Sequence, residues 1–255
     1  MNKTFTRFIL LVVGFVGSWL LLAQIDWMTH FGIREKTDAT EKALGDLYWE
    51  SIKSGEIVIE DEAVVEPVDQ LLTHICKKNG IDRSEVKLHV IQKSEINAFA
   101  LPDGHMVILT GLINFAEHES ELAGVIGHEL AHIQRNHIMK TLIKEVGLSV
   151  LVSMTTGDAG GVLVQETLRT LTSSAYSRKL EAEADKYAVK YLAKADMNPE
   201  GLANFLYRLA EEAADMPEIL NWVSTHPETK ARAVEIVNHM EANEFEEQAV
   251  LDDAT

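Results

Sequence analysis

The sequence predicts an α+β protein, mostly helical with a small sheet, preceded by one N-terminal transmembrane helix. Three observations carry that expectation. A charge-free apolar run fills Phe8 to Ile25, apolar residues recur at helical spacing along several later stretches, and two strand-like pieces flank a Pro102-Asp103-Gly104 turn.

The run Phe8 to Ile25 is about the length that crosses a hydrocarbon core as a helix. Lys3 and Arg7 precede it and Asp26 follows; Trp19 and Trp27 stand near its outer end, where amphipathic rings favour the interface. The basic flank predicts a cytoplasmic amino terminus, with everything beyond Asp26 on the non-cytoplasmic side: the periplasmic face of an inner membrane if the chain is bacterial. Arg34 and Lys36 weaken that orientation without reversing it. The competing reading is a cleaved signal peptide, but no small-x-small site follows the run, and no cysteine stands there for a lipid anchor. An uncleaved anchor over residues 1–26 is expected.

Residues 27–63 read as a polar linker and a leading helix. From Val64 to Gly80 the positions Val64, Val68, Leu71, Leu72 and Ile75 give one apolar helix face, and Gly80 is a stop signal. Val86, Leu88, Val90 and Ile91 suggest a strand. Asn97–Ala100 and Met106–Thr110 flank the turn as two more, and Gly111 breaks the second before a helix. Glu117 to Lys140 reads as one long helical stretch. Val146 to Val164 is apolar, but Asp158 and Gly160-Gly161 favour a buried helical hairpin over a membrane element. Ser177 to Ala195 is helical; Pro199 is placed in the first turn of the next helix, which runs towards Ala214. Pro217 and Pro227 bracket a short segment around Trp222, and the last helix follows Pro227. Residues 241–255 carry many acids and no bases, the composition of a solvated, disordered tail.

A formal net charge of -17 and a sequence pI near 5.0, with no basic stripe, exclude nucleic acid as a partner. The single cysteine, Cys76, allows no intramolecular disulfide and no thiolate zinc site; it reads as a small buried apolar residue.

The strongest local signal is Gly127-His128-Glu129-Leu130-Ala131-His132, an HExxH pattern. On a helix, positions i and i+4 share a face, so His128 and His132 can offer two imidazole nitrogens to one zinc ion. Glu129 lies roughly 100° around the helix from His128, beside the metal without having to bind it. There it is placed to take a proton from water and pass it to a leaving amine. Leu122, Val125, Ile126, Leu130 and Ala131 make this an apolar helix, in which two histidines and a glutamate need partners that a metal supplies. A third ligand further along the same segment would need Gly and His where Arg135 and Ile138 stand. The alternative is a carboxylate from a later helix. Glu181 and Asp185 share a face of Ser177–Ala195, so one can bind zinc while the other orients a ligand histidine; Glu183 points elsewhere, towards solvent. His105, His118 and His137 read as supporting or surface residues.

With these residues in place, the chain resembles metallopeptidase family 48, which includes HtpX-like membrane proteases, mitochondrial inner-membrane relatives and CAAX prenyl endoproteases. Four ordered motifs carry the likeness: HExxH at His128–His132, Asn97-Ala98-Phe99 with the turn and strand that follow to Ile113, Ser177-Arg178 with Glu181 and Asp185, and Thr225-His226-Pro227 with Arg232. The resemblance spans roughly Val64 to Val237 and implies a gluzincin-type zinc peptidase domain over residues 64–240. It implies one zinc per chain, Glu181 as third ligand, Asp185 and Arg232 as supports, and His226 either stabilising an oxyanion or contacting the metal at rest. It further implies endopeptidase action on membrane or envelope proteins, including misfolded ones, in protein quality control. The single apolar span makes the single-anchor, envelope-facing type the closer comparison, and Asp103 departs from the family's usual glycine. Two other readings compete: a zinc-stabilised binding or chaperone-like protein, against which the intact Glu129 speaks, and a prenyl-protein endoprotease, for which one span gives little cavity. The strand Met106–Thr110 or its neighbour Asn97–Ala100 is expected to receive substrate backbone by strand addition.

Overall fold

The computed structural model describes residues 33–156, 161–173, 176–212 and 216–242. The anchor expected over residues 1–26 and all of the expected tail beyond Ala242 lie outside them. Contacts divide the chain into Met1–Thr40 and Glu41–Thr255, and of the first unit only the start of helix α1 (Ile33–Lys53) is described. Among the described residues, no helix is long and apolar enough to cross a membrane.

Helix α2 (Glu62–Asn79) begins where Asp61 accepts the Ala63 N–H at 3.0 Å and ends at Gly80, whose φ of 69° is the left-handed cap that glycine adopts without strain. Cys76 on this helix is 0% exposed, and burial pushes its thiol up to about 11.

Strands β1 (Lys87–Ile91), β2 (Ala98–Ala100) and β3 (His105–Leu109) form a mixed sheet in the order β1-β3-β2, with β1 parallel and β2 antiparallel to β3. All of β3 is buried: Met106 and Ile108 enter one apolar cluster, Val107 and Leu109 the other, as period-2 alternation requires of a strand covered on both faces. Being central, β3 has both edges bonded and cannot receive a further strand, which corrects the expectation for Met106–Thr110. Thr110 in fact opens helix α3 (Thr110–Phe115). Ile57 to Ile59 cover the outer edge of β1, with Ile59 donating to the Val90 carbonyl at 2.8 Å and Gln92 to that of Ile57 at 2.9 Å. Among the described residues, β2 is left as the unpaired edge.

The stretch expected as one helix over Glu117–Lys140 is two, α4 (Glu119–Gln134) and α5 (His137–Val146). Asn136 separates them in the left-handed region at φ 56°, a conformation its short polar side chain tolerates and an α-helix cannot pass through. Helices α6 (Leu148–Thr155) and α7 (Gly161–Ser173) follow, burying Leu151, Met154 and Leu171 with Leu44 and Tyr48 of α1. After α8 (Arg178–Lys194), helix α9 (Gly201–Glu212) starts two residues beyond the expected Pro199. There Asn198 accepts the Glu200 N–H at 2.9 Å in a side-chain-closed turn, and a Cβ on Gly201 would fall 1.9 Å from the Ser120 carbonyl oxygen. A 3₁₀ turn (Pro217–Ile219), α10 (Leu220–Thr225) and α11 (Thr229–Ala242) complete the chain. Helix α4 is the central element: α8 and α9 pack along it, and α11 packs on both. At Gly127, next to His128, a Cβ would meet Leu192 at 2.8 Å, so the missing side chain is what lets α8 lie so close to the histidine face.

Candidate metal centre

Three elements deliver the polar side chains of the centre. Helix α4 carries His128 and His132 one turn apart, with Glu129 beside His128, all three buried. Helix α8 begins at Ser177, whose hydroxyl accepts the Leu180 N–H, and this start places Glu181 in the first turn and Asp185 one turn on. His226 closes α10, its N–H donating to the Trp222 carbonyl at 2.7 Å, and its ring turns inward against Trp222. None of His128, Glu129, His132, Glu181 and His226 is more than 1% exposed.

The donor atoms converge. His128 Nε2 and His132 Nε2 are 3.0 Å apart, His226 Nδ1 is 3.4 Å from His128 Nε2, and Glu181 Oε1 is 3.3 Å from His132 Nε2. Glu181 Oε2 lies 3.1 Å from His226 Nδ1 and 3.7 Å from His128 Nε2. One donor atom from each of the four residues lies within 4.8 Å of the others. Ligands at zinc distances of about 2.0–2.1 Å sit roughly 3.3 Å apart on a tetrahedron. The separations match that figure, and neutral imidazole nitrogens facing one another in a dry interior have little other reason to gather. The donor set fits a zinc ion.

Arg232, on the first turn of α11, underwrites the carboxylates. It donates to Asp185 through Nε at 2.8 Å and Nη2 at 2.6 Å, and its Nη1 lies 2.5 Å from Glu181 Oε2. Burial alone would raise both carboxyl pKa values, but charge wins: His226 and Arg232 hold Glu181 well below the carboxylate range, and Arg232 holds Asp185 below it. Asp185 Oδ1 in turn lies 3.0 Å from His128 Nδ1, on the far side of that ring from the donor cluster. Burial depresses His128 and His132, which keeps both imidazoles neutral and able to coordinate. Glu129 differs from the other carboxylates: burial raises its pKa, and neither of its oxygens has a hydrogen-bond partner among the described residues. Its nearest basic neighbour is His226 Nε2 at 3.5 Å.

The structure therefore brings His128, Glu129, His132, Glu181, Asp185, His226 and Arg232 to one place. His226 does not cap α11, as a His-Pro pair at a helix start can; its ring joins the donors. Glu183 is not simply solvated, because it accepts from Arg135 Nε at 2.8 Å and approaches His137. Tyr176 escaped the sequence reading altogether. Its ring stacks on His132 at 4.2 Å and helps cover the centre, although its only signal in the sequence is its place beside Ser177. A second constellation, Asp46, Asp103 and His105, is already served by a cation, since Lys87 Nζ lies 2.5 Å from Asp103 and 3.2 Å from His105.

Comparison with known proteins agrees with this geometry. The model of peptidase family M48 matches residues 63–240. The bovine mitochondrial metalloendopeptidase OMA1 is 30% identical over 248 residues, covering 86% of this chain and 47% of that protein. Its human counterpart is 30% identical over 242 residues, covering 83% and 46%. The β-barrel assembly-enhancing protease of Yersinia pestis is 25% identical over 199 residues, covering 73% and 41%. The chain thus spans less than half the length of these relatives.

Proposed function

The chain belongs to peptidase family M48, and from that membership we propose that it is a zinc-dependent endopeptidase in which His128, His132 and Glu181 hold the metal and Glu129 is the general base. The observation that carries this reading is the convergence of three imidazoles and one carboxylate beside a second carboxylate, Glu129, which has no hydrogen-bond partner among the described residues. When bound there, zinc supplies a Lewis acid that polarises the scissile carbonyl and acidifies water. Glu129 takes a proton from the attacking water and returns it to the leaving amine, a role favoured by burial that raises its basicity. Asp185 orients His128, and Arg232 keeps Glu181 ionised as a ligand. His226 offers Nδ1 as a fourth donor in this closed arrangement; displaced by substrate, its ring is placed to donate to the developing oxyanion.

Because the donors are buried and Tyr176 lies on His132, a peptide reaches them only after their cover moves. Strand addition to β2 is the docking mode the topology supports. Asn97 accepts from Leu109 and Leu101 donates to His105, so the β2 residues bonded to β3 are the odd-numbered ones; the backbone groups of Ala98 and Ala100 face away. Replacing Ala100 with proline removes one outward N–H and no bond to β3. Cleavage by a normally folded A100P variant is expected to fall to background; unchanged peptide turnover would exclude this docking mode.

The substrates we propose are membrane or envelope proteins in quality control, reached by a catalytic domain of residues 64–240 held on the non-cytoplasmic side by the segment 1–26. The direct test combines metal analysis with casein cleavage. About one zinc per chain and cleavage abolished by chelation and restored by zinc are expected; a metal-free protein that still cleaves casein would end the reading.

A further inference from the structure

His137 lies outside the four donors, yet it is 0% exposed and its Nδ1 stands 3.2 Å from Nδ1 of His132. Its position follows from the break between α4 and α5. The left-handed Asn136 turns the chain back on itself, so that the first residue of α5 faces the last turn of α4. We propose that His137 is the positioning residue for His132, setting its tautomer and the aim of its metal-binding nitrogen; this inference rests on the zinc reading above.

The argument is one of proton placement. His132 turns Nε2 towards His128 Nε2 and Glu181, so Nε2 is the nitrogen that must be free of a proton to coordinate. The proton of a neutral His132 then sits on Nδ1, and in a buried site it needs an acceptor. The neighbouring atom is His137 Nδ1, which accepts only if His137 is neutral and carries its own proton on Nε2. The geometry allows this: the carboxylate of Glu183 faces His137 Nε2, with Oε2 3.6 Å away, and among the described residues Nε2 has no hydrogen-bond partner that would claim it as an acceptor. Glu183 is itself held by Arg135. The contacts run from Glu183 through His137 to His132, and a proton on Nδ1 of His132 with His137 Nδ1 as its acceptor is the arrangement that leaves His132 Nε2 free for a metal. The centre is then built alike on both sides: each α4 histidine presents Nε2 inward and rests Nδ1 on a support, Asp185 for His128 and His137 for His132.

The test separates a hydrogen-bonding role from packing. Asparagine places its amide where the Nδ1 of histidine lies and can accept from His132; glutamine places its amide nearer the Nε2 position; leucine offers no acceptor. Zinc affinity of the full chain is measured by competition with a chromophoric chelator, with unfolding of the metal-free forms followed in parallel. H137L and H137Q are expected to bind zinc about 10- to 100-fold more weakly than the unaltered chain, and H137N to stay close to it. Wild-type affinity in a folded H137L, or equal losses in H137N and H137Q, overturns the inference. An unaltered chain that binds no zinc would instead bring down the metal centre itself, and this inference with it.

Discussion

The Glu129→Gln variant is expected to bind zinc as the unaltered chain does and to lose about 10²- to 10⁴-fold in peptide cleavage. Glutamine keeps the size of the side chain and removes the basic oxygen. Nothing in the metal set depends on that oxygen, since the close donor contacts run among His128, His132, Glu181 and His226. The fold should not suffer either: Glu129 is fully buried with no hydrogen-bond partner among the described residues, so replacing a charge that burial penalises with a neutral amide removes an unfavourable group. The measurement is zinc content beside the turnover of a quenched peptide. Full residual activity in E129Q would defeat the proposed mechanism. Rescue of a deletion phenotype by the inactive variant would favour the zinc-stabilised binding protein over the peptidase.

The second large effect is expected at Arg232. Arg232 is 5% exposed and its guanidinium serves two carboxylates at once, so Arg232→Leu leaves Glu181 and Asp185 buried without their cation. Breaking a buried pair from one side costs about 3–5 kcal/mol, far more than the pair's own net contribution, because the stranded charge is the main penalty. Urea unfolding of the metal-free variant at neutral pH is expected to show a loss of that order, together with weakened zinc binding. The pH dependence follows from the depressed carboxyl values. Both groups bind fewer protons folded than unfolded, so the stability that Arg232 supports is present above the ordinary carboxylate range and is lost as pH falls through the lowered folded values. The gap between the two proteins should therefore close in acid. An R232L variant as stable as the unaltered chain at neutral pH would show that the three-way contact contributes nothing.

Much of this centre was legible along the chain because its spacing is local. His128 and His132 share a helix face by geometry alone, and Glu181 and Asp185 do the same four residues apart, whatever the rest of the molecule does. Which of the two acids meets the metal and which supports a histidine was left open by spacing and entered through family resemblance. In the structure Glu181 faces the donor cluster, while Asp185 lies behind His128. The helix boundaries that differ from the sequence expectation have causes that no apolar periodicity carries. Asn136 adopts a left-handed conformation that asparagine tolerates but does not announce, and before α9 the Asn198 side chain closes a turn on the Glu200 N–H while Gly201 lets the helix start pack against the Ser120 carbonyl of α4.

By itself the sequence determined the helix that carries HExxH, the acidic pair on a later helix and the turn at Pro102-Asp103-Gly104, since each follows from residues a few positions apart. The tertiary structure alone decided that β3 is central and β2 the free edge, that Arg232 grips both acids, that Tyr176 lies on His132, and that His137 and Glu183 stand behind it. Most of these are contacts between elements distant in the chain; His137 is five residues from His132 but stands on a separate helix. The contacts that α8 makes with the α4 histidines depend on how closely the two helices approach, which is a matter of side-chain volume at positions such as Gly127 and not of any periodicity a single segment can carry.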